Sequence, residues 1–172
     1  MKRRILSIFI ALILLAMPLV ASPAMAATTQ DVTVTFTPSF LSFSNSPTTW
    51  NIGSVSTSTN YTTGTDYFTI VNTSSVSANI TISTVNATWT GVGVASTHSD
   101  TATAGADTVG MTASAGTGAY DTIVKSAAVW NKLWTDLGAG VGDDWELKFV
   151  SATSYTDGNN KGNAIRLTIS SP

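Results

Sequence analysis

The feature that most constrains this chain is period-two alternation of apolar and small polar residues, clearest in Asp66–Ser83. In its first arm Phe68 and Ile70 share one face, opposite Tyr67, Thr69 and Val71. In its second arm Ala78, Ile80 and Ile82 share one face, opposite Ser77, Asn79, Thr81 and Ser83. Successive side chains on a strand point to opposite faces, so this pattern fits a sheet with one buried and one wet face. Asn72-Thr73-Ser74-Ser75 lies between the arms, and short polar side chains of this kind bond their own backbone in turns. The stretch is therefore expected to form a β-hairpin on which the other strands are laid.

Those other runs follow in order. Asp31–Thr37 alternates most cleanly, with Val32, Val34 and Phe36 on one side, Thr33, Thr35 and Thr37 on the other, and Pro38 as its end. Strands are expected again at Phe40–Phe43, Trp50–Val55, Val85–Ala95, Val109–Thr112 and Tyr120–Val124. Asp143–Ser151 follows, with Trp145, Leu147 and Phe149 inward and Glu146 and Lys148 outward; Asn163–Ser170 closes the series. Ser96–Ala106 reads as a loop or flexible edge, and Asp157-Gly158-Asn159-Asn160 as a turn. One segment departs from this period. In Ser126–Leu137, Val129 or Trp130, Leu133, Trp134 and Leu137 recur at helical spacing before Gly138, which predicts one short helix over residues 126–137 with its tryptophans packed inward. About eight to nine short strands and one short helix read as an all-β, immunoglobulin-like antiparallel β-sandwich.

The first 26 residues have a different character. Lys2-Arg3-Arg4 is followed by the apolar run Ile5–Leu15 and by Ala24-Met25-Ala26, the small-x-small pattern of a signal peptide. Residues 1–26 are expected to be removed, leaving residues 27–172 as a single domain. The rival reading, an uncleaved membrane anchor, needs an apolar run nearer ~20 residues. Three of the eight basic residues lie in this leader, so the remainder carries five against ten acidic residues. A mildly acidic chain with scattered positive charge is a poor ligand for nucleic acid or an anionic membrane. No cysteine is present, so stability is expected from core burial and not from disulfides. Together these features predict an extracellular or cell-surface protein.

Pro38-Ser39-Phe40-Leu41-Ser42-Phe43, Trp50-Asn51-Ile52-Gly53-Ser54-Val55 and Tyr67-Phe68-Thr69-Ile70-Val71-Asn72-Thr73 resemble a layout found in prokaryotic immunoglobulin-like domains. The C-terminal half, Trp130–Leu137 and then Trp145-Glu146-Leu147-Lys148-Phe149, is similar to the ending of secreted surface sandwiches such as the camelysin/TasA-type fibre subunits of biofilms. The resemblance implies a bacterial or archaeal extracellular sandwich and carries over no functional residue.

The chemistry-bearing residues are few. His98, the single histidine, sits in His98-Ser99-Asp100, and adjacent residues on a loop do not assemble a catalytic triad. Glu146 is the single glutamate and has no paired carboxylate of the kind glycosidases need. No enzyme activity, catalytic residue or cofactor site is expected. Calcium is the one ion left open, through Asp143, Asp144 and Glu146 or through Asp157, Asn159 and Asn160, although neither set spells an EF-hand. Asn60, Asn72, Asn79 and Asn86 open Asn-x-Ser/Thr sequons on expected wet faces. Trp50 and Trp89 are the tryptophans available for a glycan-binding face.

The sharpest expectation concerns Val32, Val34 and Phe36. This strand either fills its own sandwich or completes the sheet of a neighbouring copy, since strand addition supplies main-chain bonds and pockets for alternate side chains. The leading functional reading is a secreted, non-enzymatic structural protein of the cell surface or extracellular matrix, in its sharper form a filament subunit assembled by an N-terminal donor strand. Its partners are then itself, as a homopolymer, or other surface proteins. The alternative is a carbohydrate-binding or adhesive module.

Overall fold

A computed structural model describes residues 33–116, 119–127 and 129–172. The expected leader and Val32 lie outside them. The chain divides after Phe36 into two units. In the first, Thr33–Phe36 belong to no strand, and Val34 and Phe36 are 82% and 85% exposed. The second, Thr37–Pro172, holds all the described strands.

The described residues contain twelve strands and no helix. In order these are β1 (Phe43–Ser46), β2 (Asn60–Thr62), β3 (Phe68–Asn72), β4 (Ala78–Thr84), β5 (Thr88–Gly91) and β6 (Ser96–Ser99), followed by β7 (Thr108–Ala115), β8 (Thr122–Ile123), β9 (Asn131–Leu137), β10 (Gly142–Val150), β11 (Lys161–Gly162) and β12 (Ile165–Ser170). They form two sheets. The larger has nine strands in the order β1-β3-β10-β7-β6-β5-β11, with β2 added along β10 and β8 along β7. The smaller has three, in the order β12-β4-β9. All pairings between named strands are antiparallel except β6 with β7. Buried residues of both sheets join in one apolar cluster: Ile80 and Ile82 from β4 meet the same core as Ile70, Met111, Trp145 and Leu147. Burial of such side chains is worth roughly 1.5–3 kcal/mol each.

The alternation of Asp66–Ser83 is present, but the hairpin is not. β3 pairs with β1 and β10, whereas β4 pairs with β12 and β9, so the connection between them passes from one sheet to the other. Asn72 is fully buried and holds this arch. Its amide donates to the carbonyls of Leu137 (2.7 Å), Val76 (3.1 Å) and Gly138 (3.1 Å), and its Oδ1 accepts from the Ser74 N–H at 2.9 Å. The expected wet face of β4 is also covered. All seven residues of β4 are buried, because it is the central strand and its short Thr81 and Ser83 pair with Lys132 and Arg166 on the strands either side.

The helix expected over residues 126–137 is replaced by β9. Two irregularities break its register with β4: Leu137 and Trp134 face Ala78 and Ile80, and then Lys132 faces Thr81. Each places an extra residue on β9, which turns neighbours Leu133 and Trp134 both inward and leaves Asp136 at φ 59°. A doubly bulged strand thus shows the apolar spacing of a helix. Trp134 is buried and donates to Asp143 Oδ2 at 3.0 Å, but Trp130 lies before the strand and is 62% exposed, contrary to its expected inward position.

Two further segments differ from expectation. Ser96–Ser99 is a strand, not a loop, and runs parallel to β7. Trp50–Val55 is no strand; it is an irregular segment without ladder pairing, bent at Ser54, with Gly53 at φ 74°.

Candidate functional site

The expected chemical residues are committed to structure. His98 is buried in β6, contrary to its reading as a loop histidine. The Trp89 indole N–H donates to His98 Nδ1 at 3.3 Å, so the ring proton sits on Nε2 and is donated to the Val124 carbonyl at 2.7 Å. Glu146 is buried, not outward. Its Oε2 accepts from the Tyr120 hydroxyl at 2.7 Å and its Oε1 from the Asp66 N–H at 3.3 Å. Burial pushes the Tyr120 phenol above its ordinary value, and the Glu146 carboxylate beside it pushes it further.

The calcium candidates are likewise engaged by protein groups. Asp143 Oδ2 accepts from Trp134 and Asp144 Oδ1 from the Thr69 hydroxyl at 2.6 Å. Asp157 binds Lys161 Nζ at 2.6 Å and accepts from the backbone N–H groups of Val94 (2.5 Å) and Asn159 (3.0 Å). The Lys161 bond, then those two N–H groups, lower the Asp157 carboxyl from 3.8 to about 2. A hydrogen bond from the Thr156 hydroxyl lowers Asp107. Among the described residues no group of three or more His, Cys, Asp or Glu is placed to hold a metal ion.

The sequons divide into two pairs. Asn60 and Asn86 are exposed. Asn72 and Asn79 are buried, contrary to their expected wet-face positions; Asn79 donates to the Ser171 carbonyl at 3.2 Å and accepts from the Asp136 N–H at 3.1 Å. The tryptophan pair divides as well. Trp89 is buried against Phe149 at a ring separation of 5.3 Å, so it offers no face to a sugar, while Trp50 is half-buried.

Both edge strands of the small sheet, β12 and β9, pair only with β4 among the described strands, and the β12 edge is the one beside a cleft. The outer main-chain edge of β12 has no ladder partner among them. Its apolar residues Ile165, Leu167 and Ile169 reach the core but stay half-exposed, unlike the fully covered β4. Beside them a cleft of about 350 Å³ opens between the sheets, with Ile165 and Leu167 on one wall and Phe68, Trp145 and Leu147 on the other. It adjoins a wider recess of about 680 Å³ that reaches Tyr155 and Lys161. Trp50, Ile52 and Trp89 line both. An apolar cleft beside an unpaired edge can accept an extended chain: the edge supplies main-chain donors and acceptors, and the cleft takes every second side chain. Sequence reasoning placed Ile165, Leu167 and Ile169 on one face but had no signal that β12 would end the sheet. No protein-family model, curated protein or solved structure matches this chain.

Proposed function

We propose that this protein is a secreted, non-enzymatic structural subunit of the cell surface or extracellular matrix. Its immunoglobulin-like sandwich lacks one strand and is completed by the Val32–Phe36 strand of another copy. The resemblance to camelysin/TasA-type fibre subunits belongs to the same proposal. The observation that carries it is the match between two unpaired parts. Val34 and Phe36 are exposed on a segment in no strand, and the β12 edge stands beside an apolar cleft. Alternate residues on a strand are about 7 Å apart, so Val34 and Phe36, once added to the sheet as a strand, present their side chains to one face at the same spacing as Ile165 and Leu167. Burying the two donor side chains contributes about 3–6 kcal/mol in total, before main-chain bonds and the cost of association. Donor and acceptor are different surfaces of one chain, and such a head-to-tail contact propagates into a filament unless it closes into a ring.

The test is size-exclusion chromatography with negative-stain electron microscopy on the chain from Ala27 and on its Val34→Asp/Phe36→Asp variant. The wild type is expected to form filaments or closed oligomers, and the variant to remain a folded monomer. A wild-type chain that stays monomeric at high concentration overturns the proposal, as does a variant that assembles equally well.

A further inference from the structure

Part of the wall of the cleft beside β12 is a segment in no strand. Thr48–Val55 runs along the cleft in no regular structure, bent at Ser54, and makes no main-chain-to-main-chain hydrogen bond among the described residues. Its contacts are of another kind. Trp50, Ile52 and Val55 pack half-buried on the core, and Trp50 and Ile52 line both parts of the cleft. Among the described residues only side chains tie its backbone: Tyr67 donates to the Thr49 carbonyl at 3.4 Å and Asn51 accepts from the Gly53 N–H at 2.9 Å; just beyond it the Tyr61 hydroxyl accepts from the Ser56 N–H at 2.6 Å.

We propose that Thr48–Val55 is a resident stopper: in the unassembled subunit Trp50 and Ile52 occupy the place of the donor strand, and the incoming Val32–Phe36 segment displaces them as it pairs with β12. This rests on the donor-strand reading above and adds its regulation. The stopper covers apolar walls that would otherwise face water, yet forms no ladder, so it lines the cleft without satisfying the edge. A donor strand supplies both the apolar side chains and the main-chain bonds, and exchange therefore runs toward assembly. The stopper slows that exchange and gives an exported subunit time to leave its site of synthesis unassembled. Gly53, at φ 74° with no heavy atom within 4 Å of where a Cβ would stand, gives the segment a pivot in open space.

The experiment uses the full chain from Ala27 carrying Val34→Asp/Phe36→Asp, so that it cannot donate, and a fluorescent peptide of residues 27–37 as the probe. Two readings are taken: the association rate of the peptide, and chymotryptic cleavage after Trp50 followed by mass spectrometry, with exposed Trp130 as internal reference. Adding Trp50→Ala/Ile52→Ala is expected to raise the association rate at least tenfold, and peptide binding is expected to expose the Trp50 site to cleavage. Ile52→Ala alone carries the same comparison if the double variant does not fold. Peptide that binds at an unchanged rate, with Trp50 still protected, makes the segment a fixed wall and overturns this inference while leaving the donor-strand reading intact. Peptide that binds neither folded chain overturns both.

Discussion

Replacing Asn72 tests the arch that carries the chain from one sheet to the other. Its side chain is fully buried and makes four hydrogen bonds, three donated to carbonyls and one accepted. Removing one such bond costs about 1 kcal/mol net, and each buried carbonyl left without its donor adds up to ~1–3 kcal/mol. Other main-chain groups relieve part of this, so Asn72→Ala is expected to cost about 3–4 kcal/mol. For a domain of this size that lowers Tm by about 10 °C. Asn72→Asp separates hydrogen bonding from packing. It keeps the volume but turns the donating amide into an oxygen facing three carbonyls, so it is expected to be more damaging than alanine. Urea unfolding followed by tryptophan fluorescence gives both values, with Asn60→Ala, on an exposed side chain, expected within about 0.5 kcal/mol of wild type. An Asn72→Asp chain at least as stable as Asn72→Ala would refute the reasoning, because the site would then be filling space and not donating.

Three further outcomes follow from the same geometry. Gly110→Ala would bring a Cβ to 2.6 Å from the main-chain carbonyl of Ala102, and is expected to cost about 1–3 kcal/mol in thermal or urea unfolding. The Asp157 carboxyl, lowered to about 2 from 3.8, contributes stability that is complete above about pH 4 and is lost as pH falls toward 2. The Tm difference between wild type and Asp157→Asn is therefore expected to shrink over that window and to hold steady from pH 5 to 7. Expressed in a host that glycosylates, the folded protein is expected to carry glycan on Asn60 and Asn86 and none on Asn72 or Asn79, as read by peptide mass spectrometry.

The all-β class and most of the core were legible in the chain because alternation survives in any strand with one buried face. β7, β10 and β12 lie close to where Val109–Thr112, Asp143–Ser151 and Asn163–Ser170 were expected. Pairing was not legible. The arms of Asp66–Ser83 show the same period whether they pair with each other or sit in different sheets, and the period alone does not separate the two. β9 failed for a definite reason: its bulges convert a two-residue period into the spacing of a helix face. His98 and Glu146 were placed in water because polar residues usually lie there, but each has partners brought from far along the chain, Val124 for one and Tyr120 for the other. The cleft was half legible. Its wall at β12 shows in the alternation, whereas the lack of a second ladder partner for β12 among the described strands is a property of the assembled sheets.

The measurement that tests the donor-strand account most directly is a cross-link in this cysteine-free chain. Thr35→Cys and Thr168→Cys are made in separate copies; both residues are exposed and neither belongs to the apolar alternation. The two copies are mixed under assembly conditions and treated with a short bis-maleimide. Ser44→Cys, an exposed residue of β1 at the edge of the larger sheet, replaces Thr168→Cys in the control. The account predicts a cross-linked dimer between position 35 of one copy and position 168 of the other, abolished by Val34→Asp/Phe36→Asp and absent with position 44. Thiols that label fully yet never join 35 to 168, or that join 35 to 44 as readily, would contradict it.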